Sequence, residues 1–100
     1  MTTIRLAREF LPWVRSGKKK STIREGTRNL IPGPAILASG DEEAAVRITT
    51  VTHNTLGMLT EEDAKEEGFD TLSELIDTLK RFYPRIGTTS AVTIVRFKVI

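Results

Sequence analysis

The stretch SGKKKSTIREG, residues 16–26, concentrates the side chains most able to do chemistry. It holds four cations, three hydroxyl side chains and two glycines, with Ile23 its one clearly apolar residue. Lys18, Lys19 and Lys20 run up to Thr22, and Arg24 follows two residues later. A threonine hydroxyl is a poor nucleophile at neutral pH and attacks a carbonyl only with a base beside it. A lysine serves as that base where burial or a neighbouring cation favours its neutral amine, and each lysine here has cations for neighbours. Backbone amides or the Arg24 guanidinium would hold the developing oxyanion. The same residue types also suit a solvated basic loop or a phosphate-binding surface. Local sequence leaves all three readings open.

The wider charge distribution favours a basic face. Residues 1–30 carry eight Lys/Arg and two Glu, a net +6. Residues 31–70 carry two basic and nine acidic side chains, a net −7, and residues 71–100 return to +3. An uneven field of this kind attracts phosphate, and it also describes a dipolar solvated surface. With no cysteine, the chain has no disulfide and no thiolate metal site, which fits a cytoplasmic location. With His53 as the single histidine, no metal or other cofactor is implied. No apolar run approaches a membrane span. Arg5, Arg8 and Glu9 interrupt any signal-peptide core in residues 1–15. No G-x-x-x-x-G-K phosphate loop is present. One hundred residues suffice for one domain, 1–100, with a modest core.

The elements that must position these side chains follow from periodicity. Residues 3–7 alternate as a first strand, and 8–16 read as a short helix in which Pro12 is tolerable only in the first turn. Residues 20–25 form a strand with Lys20, Thr22 and Arg24 on one face and Ser21, Ile23 and Glu25 on the other. A turn-rich loop, 26–34, precedes a hairpin of strands 35–39 and 44–52. The apolar phase slips near Thr49 and Thr50, as at a bulge. Thr60 with Asp63 and Thr71 with Glu74 mark two helix starts, while Gly68 and Pro84 mark the stops. Residues 91–100 are strongly β. The order β-α-β-β-β-α-α-β predicts an α+β fold: a small, mainly antiparallel, partly closed β-barrel with flanking helices. Residues 91–100 should pair in the same sheet as 44–52.

Four segments, G-K-K-K-S-T-I-R (17–24), A-K-E-E-G-F (64–69), L-K-R-F-Y-P (79–84) and V-T-I-V-R-F (92–97), together resemble the ASCH family, a branch of the PUA-like barrels. The resemblance spans nearly the whole chain and implies a barrel with a cleft for RNA or a modified nucleoside. Within the family, bacterial N(4)-acetylcytidine amidohydrolases look similar through a Lys-x-x-Thr-x-Arg motif and a later Glu. That pattern falls on Lys19, Thr22, Arg24 and Glu67. The chain departs from this subgroup by one extra residue after the Glu and by its loop at 26–34. The resemblance implies a metal-independent hydrolysis of an acyl-amide on a modified cytidine, with Thr22 as nucleophile, Lys19 as base and Glu67 as acid. Two alternatives are a non-catalytic RNA-binding module and a single-strand ribonuclease. Lys18, Lys20, Arg24, Arg28 and Arg81 are the candidate contacts to RNA or substrate. Trp13, Phe82 and Tyr83 are packing residues that could also stack bases, and His53 reads as a loop residue.

Overall fold

The computed structural model describes residues 1–100. In chain order the elements are β1 (Thr2–Arg5), α1 (Leu11–Arg15), β2 (Ser21–Glu25), β3 (Gly33–Ser39), β4 (Glu42–Thr55), α2 (Glu61–Glu66), α3 (Leu72–Phe82) and β5 (Ala91–Val99). Short 3₁₀ turns lie at Arg8–Phe10 and Leu56–Met58. The helix expected over 8–16 is therefore split, with the 3₁₀ turn leading into α1. Pro12 falls in the first turn of α1, where its missing amide costs no bond. β4 is longer than expected and runs to Thr55, so His53 stands in a strand and not in a loop. Pairing with β5 carries it there: His53 lies opposite Thr93.

The five strands form one sheet in the order β1-β3-β4-β5-β2. The β1–β3 pair is parallel and the other three are antiparallel. β5 pairs with β4, as expected for residues 91–100. The register shifts between Ile48 and Thr50, where the apolar phase slips. A bulge there increases local twist and helps the sheet curl. β1 and β2 are the two edges, and they come together without pairing. Instead the Arg24 guanidinium of β2 donates to the Arg5 carbonyl of β1. The result is a curled, partly closed half-barrel.

Two apolar clusters fill the two faces. Inside the curl, Ile4, Leu37, Val46, Ile48, Val95 and Phe97 pack with Leu11 and Val14 of α1. On the other face, Ile23, Val92 and Ile94 pack with Ala64 of α2 and Leu75 and Leu79 of α3. Both helices have the expected N-terminal caps. Thr60 and Asp63 cap each other reciprocally, and the Glu74 amide donates to the Thr71 hydroxyl. The loop expected over 26–34 is shorter, because Gly33 and Pro34 pair with Ile48 and Arg47 as the start of β3, and it is tied down by buried Thr93, whose hydroxyl accepts from the Arg28 amide at 2.8 Å and donates to the Gly26 carbonyl at 2.7 Å. No helix is long and apolar enough to cross a membrane.

One glycine is held by both conformation and space. Gly68 has φ +98°, and a Cβ there would lie 2.9 Å from Cε3 of Trp13. Gly17 has φ +83° but faces open space. An alanine at either site carries the left-handed penalty of about 1–2 kcal/mol. Only Gly68→Ala also overpacks the indole, which adds about 1 kcal/mol or more. Urea unfolding of the two variants should rank Gly68→Ala clearly below Gly17→Ala; equal losses would refute the steric account.

Candidate functional site

The site is built where α2 meets the free edge of β2. Glu67 follows the last residue of α2, and Gly68 takes the left-handed turn after it. The Phe69 amide reaches back to the Ala64 carbonyl at 2.9 Å and the Gly68 amide to the Lys65 carbonyl at 3.0 Å, the two bonds of a Schellman C-cap. This stop fixes the backbone of Glu67. The Lys20 amide donates to the Glu66 carbonyl at 2.6 Å, fastening the helix end against the entry to β2. On the outer side Arg96 holds Glu66 at 2.9 Å and Asp63 at 3.4 Å.

Held this way, the Glu67 carboxylate lies along the edge of β2. Oε1 accepts from the Ile23 amide at 3.1 Å and from Lys19 Nζ at 3.2 Å. Oε2 accepts from the Ser21 hydroxyl at 2.6 Å. The Lys19 ammonium also lies 3.4 Å from the Glu67 carbonyl and 4.9 Å from the centre of the Phe10 ring. Lys19 and Glu67 are both about 3% exposed, so this is a buried ion pair with its charges compensated on both sides.

The pair forms one wall of a cavity of about 230 Å³ at the seam between β1 and β2. Thr22 and Arg24 line the same cavity, and Phe10, Phe69, Leu79 and Phe82 supply much of its apolar surface. Phe10 makes edge-to-face contacts with Trp13, Phe69 and Phe82 at centroid distances of 5.1 to 6.1 Å. Arg24 Nε is buried without a hydrogen-bond partner. A mostly apolar hollow with a hydroxyl, an ion pair and an unsatisfied guanidinium N–H suits a flat, partly polar ligand with a carbonyl to be held.

Four of the expected residues thus converge: Lys19, Thr22, Arg24 and Glu67 share one cavity. The remaining cations do not join them. Lys18 lies over the Trp13 ring, 4.0 Å from its centroid. Lys20 lines a separate groove. Arg28 is turned back onto the Glu25 carbonyl at 3.0 Å. Arg81 pairs with Glu9 at 2.6 Å, linking the end of α3 to the turn that carries Phe10. Tyr83, read as a packing residue, lines the cavity while also packing against the helix-side cluster. Sequence reasoning missed Ser21 and the walls made by Phe10 and Phe69. Ser21 had a visible signal, a hydroxyl one position from Thr22 on the face shared with Ile23. The two phenylalanines had none, because only the fold brings residues 10 and 69 together.

Removing one partner of the buried pair leaves an uncompensated charge. Lys19→Met and Glu67→Leu should each cost about 3–5 kcal/mol. The double variant should lose much less than the sum, as expected for groups in direct contact. Denaturant unfolding of the four proteins measures this; simple additivity would show that the two charges do not interact.

No family model matches the sequence, and no curated protein does. Solved structures do. An ASCH domain from Lactobacillus crispatus superposes with a TM-score of 0.76 at 15% identity, covering 88% of this chain and 68% of that one. A mutant ASCH protein from Zymomonas mobilis gives 0.68 at 15% identity, with 96% and 67% covered. A protein from Pyrococcus furiosus solved by NMR gives 0.61 at 21% identity, with 99% and 96% covered. The curled five-stranded sheet with its few flanking helices thus has the fold of the ASCH domains.

Proposed function

We propose that the chain is a nucleobase-directed amidohydrolase that removes an acyl group from the exocyclic amine of a modified cytidine, N(4)-acetylcytidine being the simplest such substrate. What supports this reading is the meeting of Thr22, Lys19, Glu67 and Arg24 around one aromatic-walled cavity. A planar base fits between such walls, and base–aromatic contact is worth about 1–3 kcal/mol.

The buried pair supplies both forms of catalyst. Passing one proton from the Lys19 ammonium to the Glu67 carboxylate yields a neutral amine and a neutral acid with no change in net charge. The amine takes the Thr22 proton as Oγ1 attacks the acyl carbonyl carbon. Arg24 Nε–H, otherwise unpartnered, donates to the oxyanion. When the C–N bond breaks, Glu67 protonates the departing exocyclic amine, and the ion pair is restored. Water then attacks the acyl-threonine ester, giving up a proton that returns to Thr22, and the acid product leaves. The sum is amide plus water to amine plus carboxylic acid, with no metal required. Ser21 and the Ile23 amide keep Glu67 aimed throughout.

A second reading is binding of the same base without turnover. It draws on one observation: the Glu67 carboxylate already accepts from Lys19, Ser21 and the Ile23 amide, so a proton delivered to it must displace one of these donors.

Thr22→Val keeps the branched shape and removes the hydroxyl. It should keep a wild-type circular dichroism spectrum and lose hydrolysis of N(4)-acetylcytidine. Lys19→Arg should fail nearly as completely, since guanidinium does not deprotonate. Glu67→Gln should slow turnover by roughly 10²–10⁴. A wild-type protein that binds the acetylated nucleoside and never cleaves it would leave only the binding reading.

A further inference from the structure

Ala7 joins β1 to the 3₁₀ turn at Arg8–Phe10 and lines the seam cavity. Its side chain is one methyl, so its backbone is what it can offer a polar ligand. The Ala7 carbonyl is taken by the Phe10 amide at 3.0 Å, whereas the Ala7 amide has no partner in the protein. On its other side the Leu6 amide donates to the Ala38 carbonyl at 2.8 Å. Bonds before and after it thus fix the free N–H in place ahead of any ligand, which spares the cost of ordering it on binding.

The direction of that N–H follows from the strand. Leu6 turns its amide toward β3, and successive residues of an extended chain turn theirs to opposite sides. Arg5 and Ala7 therefore face the seam. The Arg5 carbonyl agrees with this, because it accepts from the Arg24 guanidinium across the gap. Along the same edge the next group is the Ala7 N–H. Arg24 Nε, buried and without a partner, lines the same cavity. Two unused donors thus stand near one another on the seam side, one from each edge of the sheet.

A ligand that satisfies both carries two separate acceptors. An N(4)-acylcytosine has them: the acyl oxygen, which Arg24 takes, and the C2 carbonyl oxygen of the ring. In an N(6)-acylated adenine the corresponding ring carbon bears only hydrogen. We infer that the Ala7 amide reads the C2 carbonyl of the base, so that the site takes 4-acylamino-2-oxopyrimidines and rejects 6-acylaminopurines. The inference rests on the function proposed above. A ligand without that oxygen leaves a half-buried N–H unpaired among apolar walls, a loss of roughly ten- to a hundredfold in binding.

The test alters each side of the contact in turn. Ala7 has φ −62° and ψ 145°, close to the φ of about −65° that proline imposes. Ala7→Pro therefore deletes the N–H at a backbone already shaped for it, and Ala7→Gly keeps the N–H while removing the methyl. The ligands are N(4)-acetylcytosine, 4-acetamidopyrimidine, which has hydrogen at C2, and N(6)-acetyladenine. For each, kcat/KM is measured by turnover and Kd by calorimetry. The wild-type protein should favour N(4)-acetylcytosine over both others by roughly ten- to a hundredfold. Ala7→Pro should abolish its preference over 4-acetamidopyrimidine by weakening N(4)-acetylcytosine alone, and Ala7→Gly should retain that preference. Equal handling of N(4)-acetylcytosine and 4-acetamidopyrimidine by the wild type overturns the inference, and this comparison needs no variant to fold. An Ala7→Pro protein that weakens both alike also overturns it, since the proline ring then only crowds the cavity. A preference in Kd that Ala7→Pro abolishes, with no cleavage of any compound, keeps the amide as the reader of the base and removes the amidohydrolase reading.

Discussion

A sheet edge exposes backbone groups that need partners, and in this molecule one carboxylate supplies such a partner at the centre of β2. Glu67 accepts from a strand amide, a strand hydroxyl and a buried ammonium at once. Take it away and three groups lose their acceptor, Lys19 becomes an unpaired buried cation, and α2 keeps its backbone bond, the Arg96 brace and the packing of Ala64 to hold it to the sheet. A buried ion pair is a poor choice for stability alone, because well-packed apolar residues often do as well. Its value here is positional. It fixes the end of a helix, the edge of a strand and the mouth of a cavity in one arrangement.

Two neighbouring glutamates illustrate what sequence can and cannot say. Glu66 and Glu67 are chemically identical, yet one faces Arg96 on the outside and the other is buried against Lys19. The difference follows from helical geometry: Glu67 keeps helical dihedrals and so projects about 100° around the axis from Glu66, and the left-handed Gly68 ends α2 directly after it. The family resemblance selects Glu67 through the Gly-Phe that follows it, and the C-cap supplies the physical reason. The caps of α2 and α3, the bulge near Thr49 and the pairing of β4 with β5 were legible for a similar reason: each is written in a few adjacent residues or in one strong alternation.

What was not legible depends on distant parts of the chain. Nothing local marks β1 as the parallel partner of β3, or Arg24 as the side chain that spans the open seam. The +6 of the first thirty residues was plain, but not its dispersal. Arg28 turns back on its own loop, Lys18 lies on an indole, and Arg81 is taken by Glu9. Counting cations predicts a field, and only the fold decides which of them face the same way. The aromatic walls of the cavity were hidden likewise, since Phe10 and Phe69 belong to segments with no common pattern.

The seam has a consequence for the order in which this protein comes into being. β2 pairs with β5, near the other end of the chain, and Lys19 meets Glu67 across 48 positions. Contacts of such separation form late and slow the folding of small domains. A nascent chain on the ribosome can close the β3–β4 hairpin early, but it has no strand for β2 until β5 emerges. The seam cavity is therefore among the last features of the fold to be completed: Lys19 and Thr22 line it only once β2 has found β5, and Glu67 must stand beside them.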